Sequence, residues 1–217
     1  MYRRSGGVSL GGLMLDIVIR GGLVVDGTGA PGRVLDVGIR DGVIVAIGAV
    51  DEDALESLDA TGLVLCPGFV DLHTHYDAQL FWDPMATPSN VHGVTTIIGG
   101  NCGFTLAPIR AVDGDYTRRM MAQVEGMPLA ALESGVPWNW ESFGDYLDRL
   151  DGGIAVNAAF MVGHCALRRY VMGEDAIGRA ATTEEIEAMV AELHRSLDSG
   201  GVGFSTTLSR THTDGDK

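Results

Sequence analysis

Two histidines stand one residue apart in PGFVDLHTHYD at residues 67 to 77, and they are the sharpest chemical signal in the chain. On an extended backbone His73 and His75 project to the same side, so at a strand end both imidazoles can reach one divalent ion. The apolar run before them and Asp71 and Asp77 beside them set this pair apart from a chance surface HxH. A thiol adds to the set. Cys102 sits between glycines in HGVTTIIGGNCGFTLAP at residues 92 to 108, again at the end of an apolar run. A thiolate suits zinc, and coordination holds it ionised. The competing reading is a small buried hydrophobe, as most free cysteines are. The glycine flanks and the strand-end position favour a ligand.

Weaker candidates follow the same logic. His164, in VGHCALRR, follows another apolar run and reads as a structural histidine or one that supports a ligand, in preference to a ligand itself. Ser205, with Thr206 and Thr207, ends a further strand, where a hydroxyl can meet a substrate carboxylate or cap a loop. Arg210 lies with His212 in the polar segment SRTHTDGDK and can pair with a substrate carboxylate. Cys66 and Cys165 read as core, His92 and His194 as solvent-facing. Met120, Met121, Met127, Trp138 and Trp140 read as packing between a helix and a sheet in preference to a lid over an acyl group. The glycine pairs at 99 to 100 and 152 to 153 make no dinucleotide or P-loop fingerprint.

The elements that must position these groups follow from periodicity. Residues 15 to 25, LDIVIRGGLVV, are β-branched with a Gly-Gly turn, and residues 34 to 48 repeat the pattern around an Asp41-Gly42 hairpin signal, which predicts a small antiparallel sheet. A strand from Leu63 through LVLCPGFVDLHTH is continuously apolar, as a strand buried on both faces reads, and the architecture changes at about Pro67. Strand-like runs at 94 to 101, 154 to 164 and 202 to 209 then alternate with helix-like segments. Residues 182 to 201 are the clearest helix, with Thr183 as N-cap, a stripe of Ile186, Met189, Val190, Leu193 and Leu197, and Gly200-Gly201 as the stop. Alternation of this kind predicts an α/β fold with a parallel sheet or barrel. A closed (β/α)₈ barrel takes roughly 250 residues, more than follow Cys66, so the barrel is expected to be truncated.

Composition bounds the function. The 217 residues are 46% hydrophobic and 20% charged, enough for a sizeable core. A net charge of -14 opposes binding to nucleic acid or anionic lipid. Three widely spaced cysteines are no disulfide scaffold, and no stretch is apolar enough to span a bilayer, so a cytoplasmic location is expected. Residues 1 to 13 carry no signal-peptide pattern and read as a disordered or mis-started extension.

The lead-in strands followed by PGFVDLHTH resemble the opening of the amidohydrolase superfamily, and the HGVTTIIGGNCGFTLAP run is similar to its D-aminoacylase branch. The resemblance implies a (β/α)₈ TIM-like metal-dependent hydrolase barrel, incomplete here over residues 67 to 217, preceded by strands of a small β-sandwich over residues 14 to 66. It implies His73, His75 and Cys102 as ligands to one or two zinc ions. Two further histidines and a general-base aspartate are expected beyond Lys217. A carboxylated lysine bridge, used by many relatives, is excluded within these strands because Lys217 is the only lysine. The implied activity is hydrolysis of N-acyl-D-amino acids, small-molecule substrates, with the chain itself inactive alone. Alternatives are another amidohydrolase, a cyclic amidase or a deaminase, and a non-catalytic truncated pseudo-enzyme.

Overall fold

The computed structural model describes residues 14 to 208, so Arg210 and His212 lie outside the described residues. The fold is mixed α/β, and the chain divides after Gly68 into two compact units.

In the first unit, β1 (Leu15–Val24) pairs antiparallel with β2 (Arg33–Arg40), which pairs antiparallel with β3 (Val43–Gly48). The turn between β2 and β3 puts Asp41 and Gly42 at φ 52° and 74°, the left-handed geometry of a tight hairpin. Two expectations are corrected. Gly21-Gly22 makes no turn; it is a register shift within the continuous β1, with Asp36 accepting a hydrogen bond from the Gly21 amide at 2.9 Å. The sheet is also mixed, because β4 (Ala54–Asp59) and β5 (Val64–Leu65) both pair with β1 in parallel. Leu15 and Val18 anchor its small core, and Cys66, expected in a core, is exposed.

The apolar stretch from Leu63 is two strands, not one. Pro67 donates no backbone hydrogen bond, and the chain breaks there between β5 and β6 (Phe69–Thr74), which belong to different sheets. In the second unit β6, β7 (Val94–Gly99) and β8 (Asn157–Phe160) form a parallel sheet in that order. β9 (Val162–Gly163) continues past β8 and pairs in parallel with β10 (Phe204–Ser205). Because every one of these pairings is parallel, the C-terminal ends of the strands share one edge. The reading of β6 as buried on both faces is wrong: Phe69 and Leu72 are 61% and 60% exposed. β6 is an outer strand, and among the described residues no strand pairs with its free edge.

Helices α1 (Gly114–Val124), α2 (Leu129–Gly135), α3 (Phe143–Leu150), α4 (His164–Met172) and α5 (Thr183–Asp198) complete this unit. α3 begins with a reciprocal capping box between Ser142 and Asp145 and buries Phe143, Tyr146 and Leu150 at helical spacing. Full burial of side chains of this size stabilises by about 1.5–3 kcal/mol each. Trp140 stacks on Phe81 at 5.3 Å and meets Tyr146 edge-on at 5.4 Å, while Met120 and Met121 are buried in the same core. The methionine and tryptophan tract is packing. α5 is capped by Thr182, one residue before the expected Thr183, through a box with Glu185. Only part of its predicted stripe is covered: Met189 is buried, Ile186 and Val190 are exposed, and the polar Glu192 and Ser196 face inward.

Candidate metal centre

Parallel pairing sets the site. Thr74 of β6 is in register with Gly99 of β7, so the histidines at the end of β6 and the turn after β7 fall side by side. One nitrogen from each of His73 and His75 and the Cys102 sulfur lie within 4.8 Å of one another. The two rings are 5.1 Å apart. Thr74, between them, points the other way; it is buried and donates to the Ile98 carbonyl at 3.1 Å, which fixes the alternation that brings His73 and His75 to one side.

Glycines shape the turn that presents the thiol. Gly100 and Gly103 take φ of 77° and 90°, which side chains with a Cβ rarely adopt. A Cβ on Gly100 would lie 2.5 Å from Thr105 Cγ2 and 2.7 Å from the Met161 carbonyl oxygen. Asn101 ties the turn to β6 by donating to the Leu72 carbonyl at 2.7 Å. Cys102 is thus held by backbone geometry on both sides.

Glu125, immediately after α1, completes the cluster. The His75 Nδ1 donates to its Oε2 at 2.6 Å, and the Cys102 thiol donates to its Oε1 at 3.9 Å. Its side chain is only 6% exposed. Hydrogen bonding to Cys102 and then to Glu125 lifts the His75 imidazolium to about 10, outweighing burial. Two residues on, Asp77 is fully buried with no hydrogen-bond partner on Oδ2, and burial pushes it up to about 7. Sequence reasoning passed over Glu125. The one available signal was an acid at the C-terminal end of a helix, where the helix dipole opposes it.

Two nitrogens and a sulfur suit zinc. Tetrahedral zinc places such ligand atoms roughly 3.3–3.7 Å apart, so a small rotation of the exposed histidines closes the set. The weaker candidates fall elsewhere on the same edge. His164 opens α4 and exchanges a hydrogen bond with Thr206 through Nδ1 at 3.0 Å, its pKa lowered by burial and then by Arg168. Ser205 is buried and donates to the Gly100 carbonyl, so its hydroxyl braces the thiol turn. Cys165 is partly buried, and its thiol is pushed up to about 11 by burial and by Cys102.

A family model for the amidohydrolase family matches residues 56–217, and the chain belongs to that family. Within it the chain is similar to a D-aminoacylase of Alcaligenes xylosoxydans xylosoxydans, 42% identical over 193 residues, covering 88% of this chain and 37% of that protein. An N-acyl-D-aspartate deacylase of the same organism is 40% identical over 88% of this chain and 36% of its own length. A solved D-aminoacylase structure, from work on its binuclear metal centre, superposes with a TM-score of 0.73 at 42% identity, covering 88% of this chain and 38% of that one. The N-acyl-D-glutamate deacylase of Bordetella bronchiseptica, solved with zinc and a phosphonate mimic of the tetrahedral intermediate, superposes with a TM-score of 0.74 at 36% identity and the same coverage. The chain therefore spans under two-fifths of the length of these relatives. Among the described residues no helix is long and apolar enough to cross a membrane.

Proposed function

We propose that this chain carries part of the metal centre of a zinc-dependent hydrolase of N-acyl-D-amino acids. The observation that carries the reading is the meeting of His73, His75 and Cys102 on the shared C-terminal edge of parallel strands. That edge is where (β/α)₈ enzymes keep their active sites, and the parallel strands and intervening helices of the second unit support the reading of it as the first part of such a barrel. The strands of the first unit are read as part of a small β-sandwich.

In the reaction, water adds across the amide, giving a carboxylate and a free D-amino acid. Zinc bound by these residues supplies Lewis-acid chemistry at the acyl carbonyl. This chain's own part is to hold the ligands: β6 aims the two imidazoles, and the Gly100–Gly103 turn aims the thiol. The general-base aspartate and two further histidines are assigned beyond Lys217. The 217-residue chain is accordingly expected to bind zinc with little or no turnover.

The test is zinc content of the purified chain beside His73→Ala and Cys102→Ser, with deacylase activity on N-acetyl-D-methionine assayed in parallel. Near-stoichiometric zinc that drops in both variants supports the reading. A folded chain without zinc, or zinc unchanged in both variants, overturns it.

A further inference from the structure

A buried carboxylate is least comfortable where Glu125 stands. It caps the C-terminal end of α1, where the unpaired carbonyls carry partial negative charge, and its side chain is 6% exposed. Neither solvent nor the helix stabilises it there, so its partners must. Those partners are His75 at 2.6 Å and the Cys102 thiol at 3.9 Å, one from each of the two strands that supply the metal ligands. No arginine or lysine shares it in the salt bridges of the described residues, in contrast to two other buried carboxylates of this unit, Asp113, which takes two arginines, and Glu192, which takes Arg195.

The bond to His75 is made through Nδ1, which leaves Nε2 as the ring nitrogen available to an ion. A histidine ligand whose second nitrogen donates to a carboxylate is fixed in tautomer and ring orientation and is a stronger base toward the metal. We infer that Glu125 is a positioning residue of the metal centre: it orients His75 through Nδ1 and, in the metal-free chain, holds the Cys102 thiol beside it, so that α1 aligns ligands borne on two different strands. The inference rests on the reading of His73, His75 and Cys102 as metal ligands.

Cobalt serves as the probe, because a thiolate ligand gives it a charge-transfer band that reports Cys102 directly. The 217-residue chain is titrated with Co²⁺ beside C102S, E125A and E125Q, with circular dichroism to establish that each is folded. Loss of the band in C102S establishes the metal reading. E125A is then expected to bind cobalt about 10- to 100-fold more weakly, and E125Q, which keeps an acceptor oxygen for Nδ1–H, to recover most of that loss. In the metal-free parent, the bonded His75 Nδ1 proton should give a resolved ¹H–¹⁵N signal that E125A loses and H73A keeps.

E125A binding within twofold of the parent, with C102S still losing the band, overturns the inference and leaves the metal reading standing. E125Q as weak as E125A also overturns it, since the carboxylate would then act by its charge or as a ligand itself. A folded parent that binds no cobalt overturns both. If E125A fails to fold, E125Q and the His75 signal decide the question.

Discussion

The two ends of α1 each place a carboxylate in the interior, and the two are satisfied in opposite ways. At the N-terminal end Asp113 is held by Arg110 at 2.8 Å and Arg169 at 2.6 Å, and Arg169 in turn lies over the Tyr116 ring at 4.2 Å. Guanidinium groups are permanently charged, and the helix dipole favours the acid, so that end is closed under all ordinary conditions. At the other end Glu125 faces an imidazole and a thiol, both of which can lose a proton, against the dipole. A carboxylate that merely needed neutralising would be better served by arginine. The titratable partners mark the C-terminal end as the one whose state is meant to change.

The largest expected effect breaks the closed end. Arg169→Ala leaves Asp113 buried with one partner and should cost about 3–5 kcal/mol in urea unfolding. A cost under 1 kcal/mol would mean that the pair is dispensable and the contrast between the ends is empty.

Next comes the pH dependence beside the metal centre, measured with metal removed. Asp77 binds its proton more tightly folded, at about 7, than unfolded, near 3.8, so its contribution is fully present below pH 3.8 and is lost as the pH rises through 7. The loss is on the order of 4 kcal/mol, and Asp77→Asn should flatten the stability curve in that window. His75 has the same sign in a higher window, its contribution being lost between pH 6.5 and about 10. A variant curve parallel to the parent's between pH 4 and 7 would contradict the burial argument.

Zinc sharpens the comparison further. At 100 times its dissociation constant it should stabilise the parent by about 2.7 kcal/mol, seen as a raised Tm. The same increment should persist in Arg169→Ala, because distant sites add, and vanish in Cys102→Ser. The smallest effect is Asp115→Ala on the exposed face of α1, where a pair with Arg119 at 2.7 Å should be worth under about 1 kcal/mol.

The cluster of His73, His75 and Cys102 was legible because its signal is local: alternation in a strand fixes His73 and His75 to one side, and a glycine-flanked turn marks Cys102. The hairpin at Asp41-Gly42 was legible for the same reason. The break at Pro67 was blurred because apolar residues run through it without interruption, and periodicity alone cannot separate one buried strand from two shorter ones. The Ile186 to Leu197 stripe misled in part because a hydrophobic face predicts burial only where a neighbour covers it. Glu125 was illegible because its meaning is a distance, 50 residues from His75 along the chain and 2.6 Å in space. The partner of Ser205 was illegible because it is a backbone carbonyl, which carries no sequence signature.

Where β9 gives way to α4, main chain lies directly on main chain. A Cβ on Gly163 would fall 2.5 Å from the Gly103 carbonyl oxygen, and the Cys165 amide donates to that same oxygen at 3.0 Å. Side chains act as springs between elements, absorbing a displacement by changing rotamer; none stands between the Gly163 main chain and the Gly103 carbonyl, and the Gly163 amide is tied in addition to the Thr105 hydroxyl at 3.2 Å. Movement at the start of α4 is therefore passed directly to the loop bearing Cys102. A library of substitutions at position 163 should show the profile of an active-site residue, with nearly all replacements rejected, although glycine has no side chain to take part in the chemistry.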